Sequence, residues 1–280
     1  MAKSRTSSSI AEIPLVVDSK QHKELLSRFK AARQLYNACL SEAMTRMNLV
    51  RNSEAFQQAK QINVRLSAHV EAREAKKKRS DAFRAASSAY RYSDYDIQAY
   101  ATIVSNRSKW IAQLLDSNTQ QVLATRAFRA SEKVMFGRAK NIRYKVPSRF
   151  RSVEGKTNKQ GIRWKDNKLV WGKLTLTPEI DYQNPVIQHG LNHPVKYVRL
   201  LWRELNGKQR WYVQLINEGL PYQKQKNYVA DGIFGLDINI ANIAFVGDNK
   251  AGLLPKARAS TNIRKRDRSA TASDAAISKS

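Results

Sequence analysis

The spacing of the apolar residues changes once along this chain, at Gly137, and that change limits the folds open to it. Before it the spacing is helical. Leu25, Phe29, Ala32, Tyr36, Cys39, Ala43 and Met47 recur every three or four residues, which predicts one long amphipathic helix. Asp18, with Gln21 three residues on, predicts its start. A second helix is expected over Ser53–Arg79, ending in Lys76-Lys77-Lys78-Arg79 where basic side chains suit a helix C-terminus. A third is expected over Asp94–Val104 and a short one over Trp110–Leu115. A strong fourth, capped by Asn118 or Thr119, carries Leu123, Ala127, Ala130 and Val134 and stops at Gly137. Residues 19–136 read as a helical domain.

After Gly137 the pattern is that of strands: Gly161–Trp164, Leu169–Trp171, Leu174–Thr177, Val195–Leu205 and Gln209–Ile216. Asn206-Gly207 between the last two is a strong two-residue hairpin signal. Isolated hairpins are marginal, so residues 137–230 are expected to form one small sheet or barrel. Ile10–Val17 is a further strand, and Pro14 predicts that it lies at an edge. Residues 1–18 then complete the barrel, with the helical domain inserted in its middle. Ile233–Ile238 and Ile243–Val246 begin another unit over residues 231–250, with Gly247-Asp248-Asn249 as a turn. Ala251–Ser280 reads as a basic disordered tail. The expected class is α+β, a small β-barrel split by an inserted helical bundle.

Charge narrows the function. Lys plus Arg number 50 against 23 acids, a formal net charge of +27, and the pI is about 10.3. A compact polycation is destabilised by self-repulsion unless a polyanion offsets it. Nucleic acid is the expected polyanion, an anionic membrane surface the weaker candidate. Cys39 is the one cysteine, which excludes a disulfide framework and any zinc site with two or more thiolates. With no long apolar run and no apolar h-region near Met1, neither a transmembrane helix nor a secretory signal is expected. The expected location is cytoplasmic, in association with the nucleoid.

The charge is concentrated. From Arg126 to Lys173 there are 15 basic residues against 3 acids, Glu132, Glu154 and Asp166, a local excess of +12. The candidate phosphate contacts are Arg126, Arg129, Arg138, Lys140, Arg143, Lys145, Arg149, Arg151, Lys156, Lys159, Arg163 and Lys165. Phe128, Phe136, Tyr144, Phe150, Trp164 and Trp171 are interleaved with them. Guanidinium groups suit phosphates and aromatic faces suit bases. Trp164 and Trp171 either stack on nucleic acid or fill the barrel core. Tyr90, Tyr92, Tyr95 and Tyr100 around Arg91 pose the same alternative. His189 and His193 fall in a stretch that Pro185, Gly190 and Pro194 make look like a loop, so they are not read as a metal site. Cys39 lies on the apolar stripe of the first helix and reads as core.

Asp237 places an acid in an apolar run, Phe234-Gly-Leu-Asp-Ile, followed by a second apolar segment. An unpaired buried carboxylate is costly, so such an acid either holds a metal or caps the Asn239–Asn242 turn. Gly-Leu-Asp237-Ile-Asn-Ile-Ala-Asn-Ile-Ala resembles the first RuvC motif, Gly-Ile-Asp-x-Gly-x-x-Asn-x-Ala, of the TnpB family of transposon-encoded, RNA-guided nucleases related to type V CRISPR effectors. Phe29-Lys-Ala-Ala-Arg-Gln-Leu-Tyr-Asn37 resembles that family's first long helix. Gln120–Phe136, followed by Tyr144, Pro147 and Phe150, resembles its helix and Pro-Arg-Phe-Lys segment. Val195-Lys-Tyr-Val-Arg with Trp211-Tyr-Val-Gln resembles the hairpin before its nuclease domain.

The resemblance implies a wedge-like β-barrel split by a helical recognition domain, followed by an RNase H-like RuvC domain. It implies guide RNA and target DNA as partners, and DNA cleavage with Mg2+ held by Asp237 as a catalytic and metal-binding carboxylate. The chain departs from the family where the chemistry is made. Two-metal hydrolysis needs several carboxylates around cations about 4 Å apart, yet no Glu follows Glu218. No cysteine follows Cys39, so no zinc ribbon is expected. The expectation is therefore a nuclease domain truncated after its first motif, a chain reduced to binding guide RNA and DNA, and an intact relative as a further partner. A standalone repressor or RNA-binding factor and a basic protein docked on a ribonucleoprotein are the rival expectations.

Overall fold

The computed structural model describes residues 7–64, 69–225, 235–238, 242–247 and 250–255. The chain divides into two units, residues 1–222 and 223–280.

In the first unit, helix α1 spans Ser19–Asn52. Asp18 caps it as the sequence predicts: its carboxylate accepts from the Lys20 and Gln21 amides at 2.8 Å, and Gln21 Oε1 accepts from the Asp18 amide at 3.1 Å. The predicted stripe is buried from Leu25 to Met47. The single helix expected over Ser53–Arg79 is instead two, α2 (Glu54–Gln61) and α3 (His69–Ala89). Lys76–Arg79 therefore lies inside α3 and does not end it. The helix continues because Phe83 packs on Phe56, 5.0 Å between ring centres, and Ala86 is buried. It ends where Arg91 takes a φ of 52° and the Tyr92 amide donates back to Ser87 O.

Helices α4 (Asp94–Arg107), α5 (Lys109–Leu114) and α6 (Ser117–Met135) follow. The α6 cap is Asp116, neither Asn118 nor Thr119. Its carboxylate accepts from the Thr119 amide at 2.9 Å, the Thr119 hydroxyl at 2.6 Å and Trp171 Nε1 at 3.0 Å. Asp116 thus joins the helices to the sheet, and Thr119 is buried beneath it.

The sheet has seven antiparallel strands in the order β2-β6-β7-β1-β5-β4-β3. These are β1 (Ser8–Val16), β2 (Ser152–Glu154), β3 (Ile162–Lys165), β4 (Lys168–Trp171), β5 (Leu174–Pro178), β6 (Val195–Leu205) and β7 (Lys208–Glu218). The Asn206-Gly207 hairpin is present, with φ of 51° and 70°. Asp166 and Asn167, with φ of 50° and 53°, make an unforeseen turn of the same kind between β3 and β4.

β1 pairs with β7 from Ser8 to Leu15, so the helices are inserted within the sheet as expected. β1 is not an edge strand, however. Its Leu15 and Val16 also pair with β5, and Pro14 O accepts from the Glu179 amide at 2.8 Å. The N–H and C=O of one strand residue point to the same side. The missing Pro14 N–H therefore falls on the β5 side and costs the β7 ladder nothing.

No closed barrel is found among the described residues, because β2 and β3 do not pair. β3 lies against β6, but the connection between β2 and β3 already uses that edge. The Gly155 amide donates to Val198 O and the Asn158 amide to Lys196 O. The stretch around His189, expected as a loop, is helix α7 (Pro185–Leu191), with Asn184 as its cap. Pro185 sits in the first turn, where a missing N–H is harmless. Gly190 is required there, since a Cβ would meet Ala11 Cβ at 2.3 Å.

The second unit is a three-stranded antiparallel meander, β8 (Gly235–Ile238), β9 (Asn242–Val246) and β10 (Ala251–Pro255). β10 occupies residues expected to start the disordered tail; its Leu253 and Leu254 pair with Ala244 and Ile243. Residues 256–280, and with them the rest of that expected tail, lie outside the described residues. So do the expected strand start at Ile233, the Asn239–Asn242 turn up to Asn242, and Asp248.

Candidate nucleic-acid interface

The candidate cations fall on α6, on the irregular stretch after it and on the first strands of the sheet. Arg129, Arg138, Lys140, Arg143, Arg149, Arg151, Lys156, Lys159 and Lys165 are exposed, while Arg126, Lys145 and Arg163 are half-buried. Of these, only Lys165 lies within 4.0 Å of a carboxylate among the described residues, that of Asp166 at its own turn. Of the neighbouring acids, Glu132 lies within electrostatic reach of Arg129 and Arg138, and Asp94 accepts from the Thr125 hydroxyl at 2.8 Å; two more are held by other cations. Glu154 pairs with Arg199 at 3.0 Å, and Glu12 takes Arg203. Most of the charge of the candidate set is thus left for a ligand or for solvent.

The structure gathers part of the set. Arg126, Arg129 and Lys156 line a cleft of about 480 Å³ between α4, α6 and the sheet, with Tyr95 and Tyr197. Tyr95 is 82% exposed, while Tyr92 in the same tyrosine cluster is buried and hydrogen-bonded to Ser131 at 2.9 Å. Burial pushes the Tyr92 hydroxyl up to about 12, so it stays a neutral core group. Lys156 is aimed by Gln121, 2.7 Å from Nζ to Oε1. Arg126 has a structural share: it donates to Ser152 O at 3.1 Å and lies over the Phe150 ring at 5.9 Å.

A second cleft, of about 410 Å³, is lined by Phe29, Phe150 and Trp202, and by none of the candidate cations. Arg151 lies 5.2 Å over Trp202 and donates to Ser148 O at 2.8 Å. Lys30 and Arg33 of α1 line this cleft and were not singled out in the sequence. Nor was Asn37, which holds the Lys145 backbone at both ends: Nδ2 donates to Lys145 O at 2.9 Å and Oδ1 accepts from its amide at 2.8 Å. This fixes the basic stretch to α1. Lys165, at the β3–β4 turn, lines neither cleft, and nor do Arg138, Lys140, Arg143, Lys145, Arg149, Arg151, Lys159 and Arg163.

The interleaved aromatics separate by burial. Phe128, Phe150 and Trp171 are core, and Trp171 is 1% exposed beneath the Arg28 guanidinium, so it does not stack on a ligand. Phe136 and Tyr144 are more than half exposed; Trp164 packs partly against the core. His22 accepts from Trp211 Nε1 at 3.0 Å and is a structural residue. His189 and His193 stack at 4.1 Å, but their ring nitrogens meet the carbonyls of Leu220 and His189.

Asp237 lies in β8 opposite Ala244 and is exposed. The premise of a buried carboxylate is therefore corrected, because an exposed acid carries no desolvation cost that a metal must relieve. Among the described residues no three of His, Cys, Asp and Glu come together, and no helix is long and apolar enough to cross a membrane. Among the described residues, Asp237 alone does not fit a pair of divalent cations such as Mg2+. No protein-family model matches the chain, and no curated protein is significantly similar to it.

Proposed function

We propose that this protein binds nucleic acid through the basic face formed by α6, the stretch from Arg138 to Arg151 and strands β2 and β3. The observation that carries the reading is the surplus of positive charge. Arg126, Arg129 and Lys156 face one cleft beside an exposed tyrosine, against two acids in the same lining, Asp94 and Glu154, of which Glu154 is taken by Arg199. Phosphate contacts by such side chains position a ligand without reading its sequence.

Within this reading the resemblance of the quoted segments to the TnpB family suggests guide RNA and target DNA as ligands, in contact with the nucleoid. The wedge-like barrel and the start of a RuvC domain stay part of that proposal. Activity is proposed as binding, with Asp237 the acid to which the resemblance would assign metal chemistry. The test is to purify the full chain with its bound RNA and sequence it. One defined species supports the guided reading, and a smear supports the rival of a standalone RNA- or DNA-binding factor. Mg2+ and the co-purified RNA are expected to leave matched DNA uncut; cleavage abolished by Asp237→Ala would overturn the restriction to binding.

A further inference from the structure

A groove of about 1050 Å³ lies among the helices of the first unit and shares no residue with the cleft at Arg129. It lies where the end of α1, the α2–α3 pair, the start of α4 and the end of α6 meet. Arg51, Lys60, Arg79 and Arg84 line it. Arg51 and Lys60 are exposed, and no carboxylate lies within 4.0 Å of either among the described residues. The Arg79 guanidinium lies 5.4 Å over the Phe83 ring, and its Nε is shielded from solvent without a hydrogen-bond partner. Arg84 is paired with Asp81 at 3.1 Å in an exposed position. Phe136, also in the lining, is 65% exposed. Two acids complete the wall: Asp96, held by Ser93 Oγ at 2.5 Å, and Glu132, half-buried on α6.

Cations alone describe a solvated face, and phenyl rings alone describe core. An open phenyl beside guanidinium and ammonium groups without acid partners combines the two components that hold an unpaired nucleotide. The ring takes the base and the cations take the phosphates. In a duplex the bases are stacked on one another and leave no free face for Phe136. An acidic protein segment would match the charge but would gain little from the ring.

We propose that this groove holds an unpaired stretch of nucleic acid, one base stacked on Phe136 and its phosphates on Arg51, Lys60 and Arg79. The proposal rests on the nucleic-acid reading above and adds a ligand class, a single strand, at a place that reading does not use. Phe136 connects the two, since Gly137 and Arg138 follow it directly into the basic stretch.

The test uses the full chain, an oligouridylate carrying 5-iodouridine, and a DNA duplex. Photo-cross-linking is expected to put adducts on Phe136 or Phe83. Phe136→Ala, at an exposed position, is expected to weaken oligouridylate binding about tenfold and to change duplex binding less than about twofold. Arg51→Gln with Lys60→Gln is expected to flatten the slope of log K against log salt for oligouridylate by about 1.4. Adducts confined to residues 138–173 with no effect of Phe136→Ala would overturn the groove while leaving the wider reading standing. Equal loss of duplex binding, or protection of Phe136 by polyglutamate as good as by oligouridylate, would also overturn it. Absence of binding to both nucleic acids at low salt would remove both proposals.

Discussion

Single side chains decide whether the helices and the sheet behave as one body. Asp116 caps α6 and accepts from the buried Trp171 indole. Asp116→Ala removes the cap and leaves that N–H unsatisfied, so it is expected to cost about 2 to 4 kcal/mol. Asp116→Asn, which keeps an acceptor, should recover much of this; urea unfolding of the two variants measures both. Cys39 is buried, and burial pushes its thiol up to about 12. Native protein at about pH 8 should therefore resist thiol reagents and react only once denatured; rapid full labelling of the folded chain would refute this placement. Glu132 has its carboxyl raised, first by burial and then by Asp94. With the folded value above the unfolded one, its ionisation opposes folding. Stability from this group is full below the ordinary carboxylate range and declines as pH rises through the raised value. Glu132→Gln should accordingly raise the thermal midpoint at about pH 7 and not at about pH 3. The Asp18–Gln21 box could be read from sequence because both partners lie within four residues. Asp116 could not, since Asn118 and Thr119 are equally good caps by type and the choice is made by Trp171, distant in sequence.

Elements were readable where their signal is local and misread where a distant contact governs them. The stripe of α1 and the Asn206-Gly207 hairpin follow from spacing and turn chemistry alone. The end of α3 left no such mark, because basic residues at Lys76–Arg79 suit either the end or the middle of a helix; Phe83 against Phe56 carries it past them. Pro14 suggested an edge, yet what matters is the side its missing N–H faces, which depends on β5. The cation set was visible as composition, while the placement of its members depends on Gln121, Arg126 and Asn37, side chains with no pattern of their own. Asn37 gives an element-level test. Asn37→Ala frees the Lys145 backbone from α1, and is expected to weaken nucleic-acid binding several-fold although Asn37 carries no charge. Circular dichroism should show α1 retained. Unchanged affinity in a folded variant would mean that the basic stretch does not need this clamp.

For the molecule as a whole, the net charge of +27 is borne by a chain whose first unit has a continuous core from β1 to α6 and the sheet. The core stabilises the fold; the surplus charge does not, and the proposed polyanionic ligand would offset it. Arg129→Ala and Lys156→Ala should each weaken binding about evenly across sequences and reduce the salt slope by about 1, while Lys165→Ala, away from both clefts, should do less. The second unit carries exposed Leu236, Val246, Leu253 and Leu254, which predicts self-association as salt rises and repulsion is screened. The decisive measurement is the equilibrium affinity of the full chain for RNA across a salt series. Six or more phosphate contacts predict a linear fall of log K with a slope of about −4 or steeper, lessened in the Arg129 and Lys156 variants. An affinity that hardly moves with ionic strength, or a slope indifferent to both substitutions, would contradict the account.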